Sequence, residues 1–185
     1  MKKEKTAKRD IKVVNIVVST SLKHDIPLEK MAATLSNTEY NPEQFPGLVI
    51  RIKEPKTSAL IFSSGKVVCT GARSMDKVNE SIKKIIKSLE KINIKITTKP
   101  EIKIQNIVAS GSVGMDLNLN ELAMKLENTE YEPEQFPGLV YKLEEAKATF
   151  LLFSNGKIVC TGTKSDEEVN QALDKLIINL KKVKA

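Results

Sequence analysis

The segment that decides the fold is Tyr131-Glu132-Pro133-Glu134-Gln135-Phe136-Pro137-Gly138-Leu139-Val140, which follows a near copy of itself, Tyr40-Asn41-Pro42-Glu43-Gln44-Phe45-Pro46-Gly47-Leu48-Val49. The offset between the copies is 131 − 40 = 91 residues. The same offset relates 62–71 to 153–162 and 15–17 to 106–108, with no insertion in between. The chain therefore consists of two copies of one unit, and we expect the function to depend on what the two copies form together.

The composition favours a polyanionic partner. The chain has 185 residues, a hydrophobic fraction of 41% and a net charge of +7, which fits one domain or two small ones with a real core. Such a charge suggests a polyanionic partner, most often nucleic acid or an anionic membrane surface, and a solvated lysine-rich surface explains the charge equally well. The sequence shows no run of ~18 apolar residues and no signal-peptide pattern. We therefore expect a soluble, intracellular protein without a membrane partner.

Apolar periodicity predicts an α+β fold in each copy. In the first copy we expect a strand at 11–20, a helix at 28–35 opened by Pro27, a polar loop at 37–44, strands at 48–53, 57–62 and 66–71, and a helix at 75–91. We expect the same elements 91 residues later. We place a disordered basic tail at 1–9, the N-terminal repeat at 10–98 and the C-terminal repeat at 99–185, the repeats forming one compact domain.

The sequences Ser64-Gly65 and Asn155-Gly156 separate the last two strands of each copy. Asn-Gly between two strands predicts a two-residue hairpin of type I′, in which both central residues take positive φ. Each copy should therefore carry a projecting hairpin, with a phenylalanine just before its tip.

Both faces of the predicted sheet are apolar, whereas a half-buried antiparallel sheet has one polar face. The set that faces the helices in the first copy is Val14, Ile16, Val18, Leu48, Ile50, Ile52, Ala59, Ile61, Val67 and Cys69. The opposite side, called the second face below, carries Val13, Asn15, Val17, Val49, Arg51, Leu60, Phe62, Val68 and Thr70, and in the other copy Asn106, Val108, Val140, Lys142, Leu151, Phe153, Val159 and Thr161. Two helices per copy cannot also cover this face, so it is either buried in an oligomer or reserved for a ligand.

The polar residues of the second face suit the minor groove of DNA. Each copy sets one Asn and one Thr among valines, and one cation lies farther out along its strand. The minor groove offers sugars as apolar surface, A·T edges rich in hydrogen-bond acceptors, and phosphates along its rim.

Four of the five phenylalanines form two repeat-related pairs, Phe45 with Phe62 and Phe136 with Phe153. The fifth, Phe150, falls on the core face. Apolar wedges at both ends of a groove-binding surface can pry open base steps and kink a duplex. Each ring taken singly fits a core or loop-anchoring role, but two symmetric pairs on an apolar second face favour wedges.

Several longer motifs carry a resemblance to a known family. They are Gln-Asn-Ile-Val at 105–108, Glu-Gln-Phe-Pro-Gly-Leu-Val in both copies, Leu-Ile-Phe-Ser-Ser-Gly-Lys at 60–66, Leu-Leu-Phe-Ser-Asn-Gly-Lys at 151–157 and Val-Cys-Thr-Gly in both copies. Over about residues 10–183 the chain resembles the TATA-box-binding protein family. The resemblance implies a pseudo-twofold saddle of two repeats, with a curved antiparallel β-sheet underneath and helices on the convex face. Wedge insertion belongs to that family's known mechanism, so it is not independent of the resemblance.

Transferred residue by residue, the resemblance implies a DNA site. The intercalating residues would be Phe45, Phe62, Phe136 and Phe153. Contacts to bases and the groove floor would come from Asn15, Val17, Leu60, Val68, Thr70, Asn106, Val108, Leu151, Val159 and Thr161. Phosphates and sugars would meet Arg51, Ser64, Lys66, Arg73, Lys142, Asn155, Lys157 and Lys164. The family often has Arg and Ser at 142 and 155, and a Lys cannot make the bidentate contact of an Arg.

The resemblance also implies protein partners. In the family, transcription factor B grips the C-terminal loop, here 131–136 with Glu132, Glu134 and Gln135, and RNA polymerase is recruited indirectly. The N-terminal copy has Asn41 in place of Glu132, and we hypothesise that this charge difference helps the factor choose one end. The short tail without a Gln-rich extension is similar to archaeal members, which implies a cytoplasmic, nucleoid-associated protein, or a nuclear one in a eukaryote.

Two other classes stay open on the residues alone. Saddle-like folds occur in DNA-repair glycosylases, but the sequence shows no nucleophile–base pair or metal cluster, and Gly65-Lys66 lacks the glycine spacing of a P-loop. Because these catalytic patterns are missing, we expect no cofactor and no enzymatic activity. Cys69 and Cys160 lie within strands without metal-ligand spacing, so we expect buried, reduced thiols. The second alternative is a homodimer that buries its second face against itself.

Overall fold

The repeat in the sequence is also a repeat of elements in the structure, a computed structural model that describes residues 10–184. The tail predicted at 1–9 lies outside the described residues. The first copy contains β1 (Ile11–Ser21), α1 (Leu28–Thr34), β2 (Thr38–Glu39), β3 (Leu48–Ile52), β4 (Thr57–Ile61), β5 (Lys66–Ala72) and α2 (Met75–Glu90). The second contains β6 (Lys103–Ser112), α3 (Leu119–Lys125), β7 (Thr129–Glu130), β8 (Leu139–Leu143), β9 (Ala148–Leu152), β10 (Lys157–Thr163) and α4 (Asp166–Lys184).

Packing divides the chain into two compact units. Unit N comprises Val14–Ile107, and unit C joins residues 10–13 to residues 108–184. The boundaries between the two units fall inside β1 and β6, so each of these strands contributes residues to both units. The repeat boundary expected near residue 98 stays a prediction.

The sheet of unit N has the antiparallel strand order β2-β3-β4-β5-β1. Ile50, Ala59 and Cys69 lie opposite one another on β3, β4 and β5, so their side chains form one row of the core face. Helix α2 packs on this face and is preceded by the N-cap residue Ser74, whose side chain accepts a hydrogen bond from the backbone N–H of Lys77. Its buried residues are Val78, Ser81, Ile82, Ile85 and Leu89.

The sheet of unit C has the order β6-β10-β9-β8-β7. Tyr141, Phe150 and Cys160 form the row equivalent to that of unit N. Helix α4 buries Val169, Ala172, Leu173, Leu176, Leu180 and Val183. The Asn179 amide of α4 donates to the hydroxyl of Tyr141 at 2.9 Å, which satisfies the polar atoms of a largely buried tyrosine.

The predicted core-facing set is confirmed at every position except Val14, which is half-buried. The register of β1 against β5 also shifts, since two steps along β1, from Ile16 to Val18, match three steps along β5, from Ala72 to Cys69. The extra residue of this bulge lies in β5, and β1 keeps its alternation, with Ile16, Val18 and Thr20 all buried. Phe150 is fully buried, and Cys69 and Cys160 are buried free thiols, as predicted.

The tip of the β4–β5 hairpin differs from the predicted type I′ turn. Its loop has three residues, Ser63–Gly65, because the N–H of Gly65 donates to the carbonyl of Phe62 and the N–H of Phe62 donates to the carbonyl of Lys66. Within this loop only the glycine has positive φ, at 91°. That pattern is a type I turn followed by a G1 bulge, the usual three-residue hairpin. The β9–β10 tip repeats it, with a φ of 83° at its glycine.

The polar loop predicted at 37–44 contains a two-residue strand, β2, in which Thr38 pairs with Ile50 and Glu39 with Val49. Its equivalent in the second copy is β7. Two residues are too few to show an alternating pattern, so the sequence did not reveal these edge strands. Over residues 10–184, no helix combines the length and apolar character needed to cross a membrane.

Candidate nucleic-acid interface

The second face of each sheet is partly open to solvent. Its half-buried apolar residues include Val17, Leu60 and Val68 in unit N and Val108, Leu151 and Val159 in unit C, and both sequence neighbours of each of these six are buried. Leu60 lies directly opposite Val68, and Leu151 lies directly opposite Val159. Cross-strand partners share one side of a sheet, so each unit carries an accessible apolar strip.

Each unit also holds one pair of phenylalanine rings. The ring centroids of Phe45 and Phe62 are 5.9 Å apart, with 66° between the ring planes. In unit C the centroids of Phe136 and Phe153 are 6.0 Å apart, with 71° between the planes. Rings at this distance attract one another edge to face. Phe45 is 44% exposed and Phe136 is 43% exposed, so one ring of each pair presents apolar surface to solvent.

A buried glycine lies against each ring pair. A Cβ on Gly47 would lie 2.7 Å from Cε1 of Phe45 and 3.1 Å from Cε1 of Phe62. A Cβ on Gly138 would lie 2.8 Å and 3.1 Å from the equivalent atoms of unit C. Any side chain here would push the rings from their positions. Sequence reasoning missed this role, although the glycine stands in both copies of Phe-Pro-Gly.

A helical turn holds the loop that carries the more exposed ring. The N–H of Phe45 donates to the carbonyl of Asn41 at 3.0 Å, and the N–H of Phe136 donates to the carbonyl of Glu132 at 3.0 Å. Residues 41 and 132 therefore open the same turn in the two units.

Hydrogen bonds fix the orientation of the Asn15 amide. Its Oδ1 atom accepts from the N–H of Gly71 at 2.7 Å, and its Nδ2 atom donates to Oγ1 of Thr70 at 3.1 Å. Because a backbone N–H can only donate, the amide oxygen must face Gly71. One Nδ2 hydrogen remains for an acceptor, the group that A·T edges present in the minor groove. The repeat equivalents Asn106, in unit N, and Thr161, in unit C, are likewise half-buried.

Arg51 and Lys142, the two cations that lie farther out along their strands, each form an ion pair with a carboxylate on the neighbouring edge strand. Nη1 of Arg51 lies 3.1 Å from Oε2 of Glu39, and Nζ of Lys142 lies 3.8 Å from Oε1 of Glu130. The side chains of Arg51 and Glu39 are 62% and 68% exposed, so solvent screens their attraction. Sequence reasoning missed both pairs because it missed β2 and β7.

The other residues predicted to meet phosphates or sugars are all exposed. They are Ser64, Lys66 and Arg73 in unit N and Asn155, Lys157 and Lys164 in unit C. Oδ1 of Asn155 accepts from the backbone N–H of Lys157 at 3.0 Å, which braces the hairpin tip. The backbone N–H of Lys164 donates to the Glu168 carboxylate at 2.6 Å. Neither bond uses a lysine ammonium group.

A concavity of about 220 Å³ in unit C unites two residues of the predicted transcription factor B contact, Glu132 and Gln135. Glu130, which the sequence did not suggest, and the ring of Phe136 also line it, whereas Glu134 does not. The equivalents of Glu130 and Glu132 in the first copy are one Glu and one Asn. The second copy therefore has one more carboxylate at this place.

Burial decides the chemistry of the two thiols. It raises the pKa of Cys69 from the ordinary 9.0 to about 11. It raises the pKa of Cys160 to about 11 as well, although a hydrogen bond with Thr163 acts in the lowering direction. A thiol with such a pKa is protonated and a poor nucleophile at neutral pH. Among residues 10–184, no three His, Cys, Asp or Glu side chains are grouped to hold a metal ion.

Known proteins match this chain both in sequence and in fold. The family model described as "Transcription factor TFIID (or TATA-binding protein, TBP)" matches residues 10–92 and 101–183. The TATA-box-binding protein of Methanocaldococcus jannaschii is 52% identical over 174 residues, which cover 94% of this chain and 95% of that protein. The one from Picrophilus torridus is 53% identical over 175 residues, with coverage of 94% and 95%. The solved structure of Methanococcus jannaschii TBP matches with a TM-score of 0.88 at 52% identity, covering 94% of this chain and 99% of that one.

These matches define the class as a DNA-binding transcription factor rather than an enzyme. The chain belongs to the TATA-binding protein family. The match in fold confirms the predicted α+β class with two repeats and an antiparallel sheet. The resemblance inferred from the motifs is confirmed as well, and the two relatives named above are archaeal.

Proposed function

We propose that this protein binds the minor groove of A·T-rich promoter DNA, kinks the duplex with its two phenylalanine pairs, and recruits transcription factor B and, through it, RNA polymerase. The observation that carries the proposal is the open second face. In both units it sets an accessible apolar strip beside a partly exposed ring pair, and the chain belongs to a family of DNA-binding transcription factors. Such surfaces mark interaction sites.

The second face supplies the three kinds of contact that a minor groove requires. The strips around Val17 and Val68, and around Val108 and Val159, press on sugars and base edges. The Nδ2 group of Asn15 donates to an adenine N3 or a thymine O2. The exposed cations named above neutralise phosphates along the rim, which makes binding weaken with salt.

Deformation of the duplex gives the proposed specificity. Inserting a ring pair unstacks a base step at a cost of a few kcal/mol, which apolar burial and phosphate contacts offset. TA steps kink more readily than most, and A·T pairs lack the guanine amino group that would meet the apolar strips. G·C-rich DNA therefore binds more weakly, although the protein donates few hydrogen bonds to bases.

Bending is the direct test of the wedges. A duplex with a central A·T-rich site, labelled with a fluorescent dye at each end, should show increased energy transfer when wild-type protein binds. Phe62→Ala and Phe153→Ala should each reduce both the affinity and the bend. Met124→Ala, which truncates an 82% exposed apolar side chain on α3, is the control and should leave both unchanged. Wild-type affinity and bending in the phenylalanine variants would refute the wedge role.

The recruitment of transcription factor B is assigned to the C-terminal loop, through Glu132, Glu134 and Gln135. The extra carboxylate of that copy is the feature that would let the factor choose one end. The double variant Asn41→Glu with Glu132→Asn transfers this charge to the other copy. A footprint of the factor on DNA bound by this variant should lose its preferred side, and an unchanged footprint would count against the assignment.

A further inference from the structure

A concavity beside the hairpin tip occurs in both units at repeat-equivalent positions. In unit N it has a volume of about 820 Å³, and its polar lining includes Ser19, Ser21, Ser64, Lys66, Glu101 and Lys103. In unit C it has a volume of about 560 Å³, and its polar lining includes Asp10, Lys12, Ser110, Ser112, Asn155 and Lys157. An offset of 91 converts one set into the other, with only Ser64 and Glu101 changed in residue type, to Asn155 and Asp10.

Both concavities are continuous with the second face. Across β1 and β5, Ser21 lies opposite Lys66 and Ser19 lies opposite Val68. These side chains therefore project on the same side as the apolar strip. In unit C the concavity is bounded by Phe153 and Val159 themselves, so it lies directly beside the ring pair.

The donor set of each concavity fits an anion. Two lysines and one acidic residue give a formal charge of +1 in each, and the two serines add neutral hydroxyl donors. Among residues 10–184, the ammonium groups of these four lysines form no ion pair, in contrast to the paired Arg51 and Lys142. Lysine and serine side chains are groups that proteins use to contact DNA phosphates.

We infer that each concavity binds a phosphate of the DNA, beside the base step that the ring pair unstacks. The inference rests on the proposed function and adds groups that the sequence did not suggest. These groups are Ser19, Ser21 and Lys103 in unit N and Lys12, Ser110 and Ser112 in unit C. A phosphate anchored next to each kinked step would hold the backbone in place while the bases separate. In unit C the ring of Phe153 itself lines the concavity, and in unit N the concavity is lined by Ser64, two residues after Phe62.

Lys103→Gln and Lys12→Gln test the inference, because each removes one ammonium group and keeps a polar side chain. In titrations of an A·T-rich duplex at several salt concentrations, each variant should lower the slope of log affinity against log salt by about 0.9. The double variant should lower it by about 1.8. Lys83→Gln on the exposed side of α2 changes the net charge equally and should leave the slope unchanged.

The hydroxyl groups have their own signature. Ser21→Ala and Ser112→Ala should each weaken binding by roughly two- to tenfold, the effect of one lost hydrogen bond, without a change in the salt slope. Glu101→Gln should act in the opposite direction and tighten binding, because it removes the negative charge from the concavity.

The wild-type protein is titrated in parallel against A·T-rich and G·C-rich duplexes. A preference for A·T together with slopes of Lys103→Gln and Lys12→Gln that equal the Lys83→Gln control would overturn the inference alone. Equal binding of both duplexes by the wild type would overturn the proposed function and the inference with it. Reduced slopes in the two variants, with A·T preference retained, are the result that we expect.

Discussion

The backbone N–H of Gly71 donates a hydrogen bond of 2.7 Å to Oδ1 of Asn15, and this bond determines which end of the amide is available for the proposed contact with DNA. An amide held in this way offers a donor and cannot turn to offer an acceptor. The relationship joins two residues 56 positions apart in the sequence, through the pairing of β1 with β5.

Asn15→Asp replaces the Nδ2 donor with a second acceptor and adds a negative charge. We expect affinity for an A·T-rich duplex to fall at least tenfold, because an acceptor would then face the acceptors of the base pairs. Asn15→Ala removes the whole amide, including the acceptor of the Gly71 N–H, but adds neither an acceptor nor a charge, and should cost about 1 kcal/mol, roughly fivefold. Fluorescence anisotropy measures both, and an Asp variant that binds as tightly as the Ala variant would contradict the assigned orientation.

Gly47→Ala should reduce DNA bending, because the new methyl group would lie 2.7 Å from the ring of Phe45 and force the ring pair apart. Energy transfer across a dye-labelled duplex reports the bend. Gly114→Ala is the control, since its Cβ would meet nothing within 4 Å, although its φ of 73° strains an alanine. Gly114→Ala should lose thermal stability and still bend the duplex as the wild type does. A wild-type bend with Gly47→Ala would show that Gly47 does not position the rings.

Glu39→Gln should tighten DNA binding. The Glu39 carboxylate lies 3.1 Å from Arg51 and competes with phosphate for that guanidinium group. Pairs this exposed are worth up to about 1 kcal/mol, so we expect a gain of up to fivefold at low salt that fades as salt rises. Glu29→Gln, on the exposed side of α1, removes the same charge away from the rim. If Glu39→Gln and Glu29→Gln raise the affinity for DNA equally, the effect comes from net charge and not from the ion pair.

The thiols should resist alkylation in the folded protein. With a pKa of about 11, Cys69 carries roughly a thousandth of its population as thiolate at pH 8, about a hundredfold less than an unfolded thiol of pKa 9.0. Iodoacetamide should therefore label both cysteines at least a hundredfold faster in urea than in buffer. Because the folded-state pKa is raised, the stabilising contribution of each neutral thiol is complete below pH 9 and is lost as the pH rises towards 11. Equal labelling rates in urea and in buffer would show that the thiols are not buried.

Sequence reasoning predicted most of the fold because apolar alternation has a period of two along each strand. The same alternation placed Val17, Val68 and their equivalents on the second face. It was less accurate at Val14, which is half-buried, and it failed at the hairpin tips, where a three-residue loop replaces the type I′ turn. The error at the tips is local, because backbone hydrogen bonding and not the side-chain pattern decides the length of the loop.

The features of the site that the sequence did not predict all depend on contacts between distant residues. The pairing of Glu39 with Arg51 depends on an edge strand of two residues, which is too short to leave a pattern. The contact of Gly47 with two rings depends on how the turn that Asn41 opens brings the ring of Phe45 against the ring of Phe62. In both cases the residues recur in the two copies of the sequence. Their contacts can be identified only once the pairing of the strands is known.

Replacement of A·T pairs by inosine·cytosine pairs tests the central claim most directly. Inosine lacks the amino group of guanine, so an I·C pair resembles A·T in the minor groove and G·C in the major groove. If the apolar second face reads the minor groove, a duplex with I·C in the central site should bind and bend nearly as the A·T duplex does, and the G·C duplex should bind much more weakly. An I·C duplex that behaves like the G·C duplex would contradict the account.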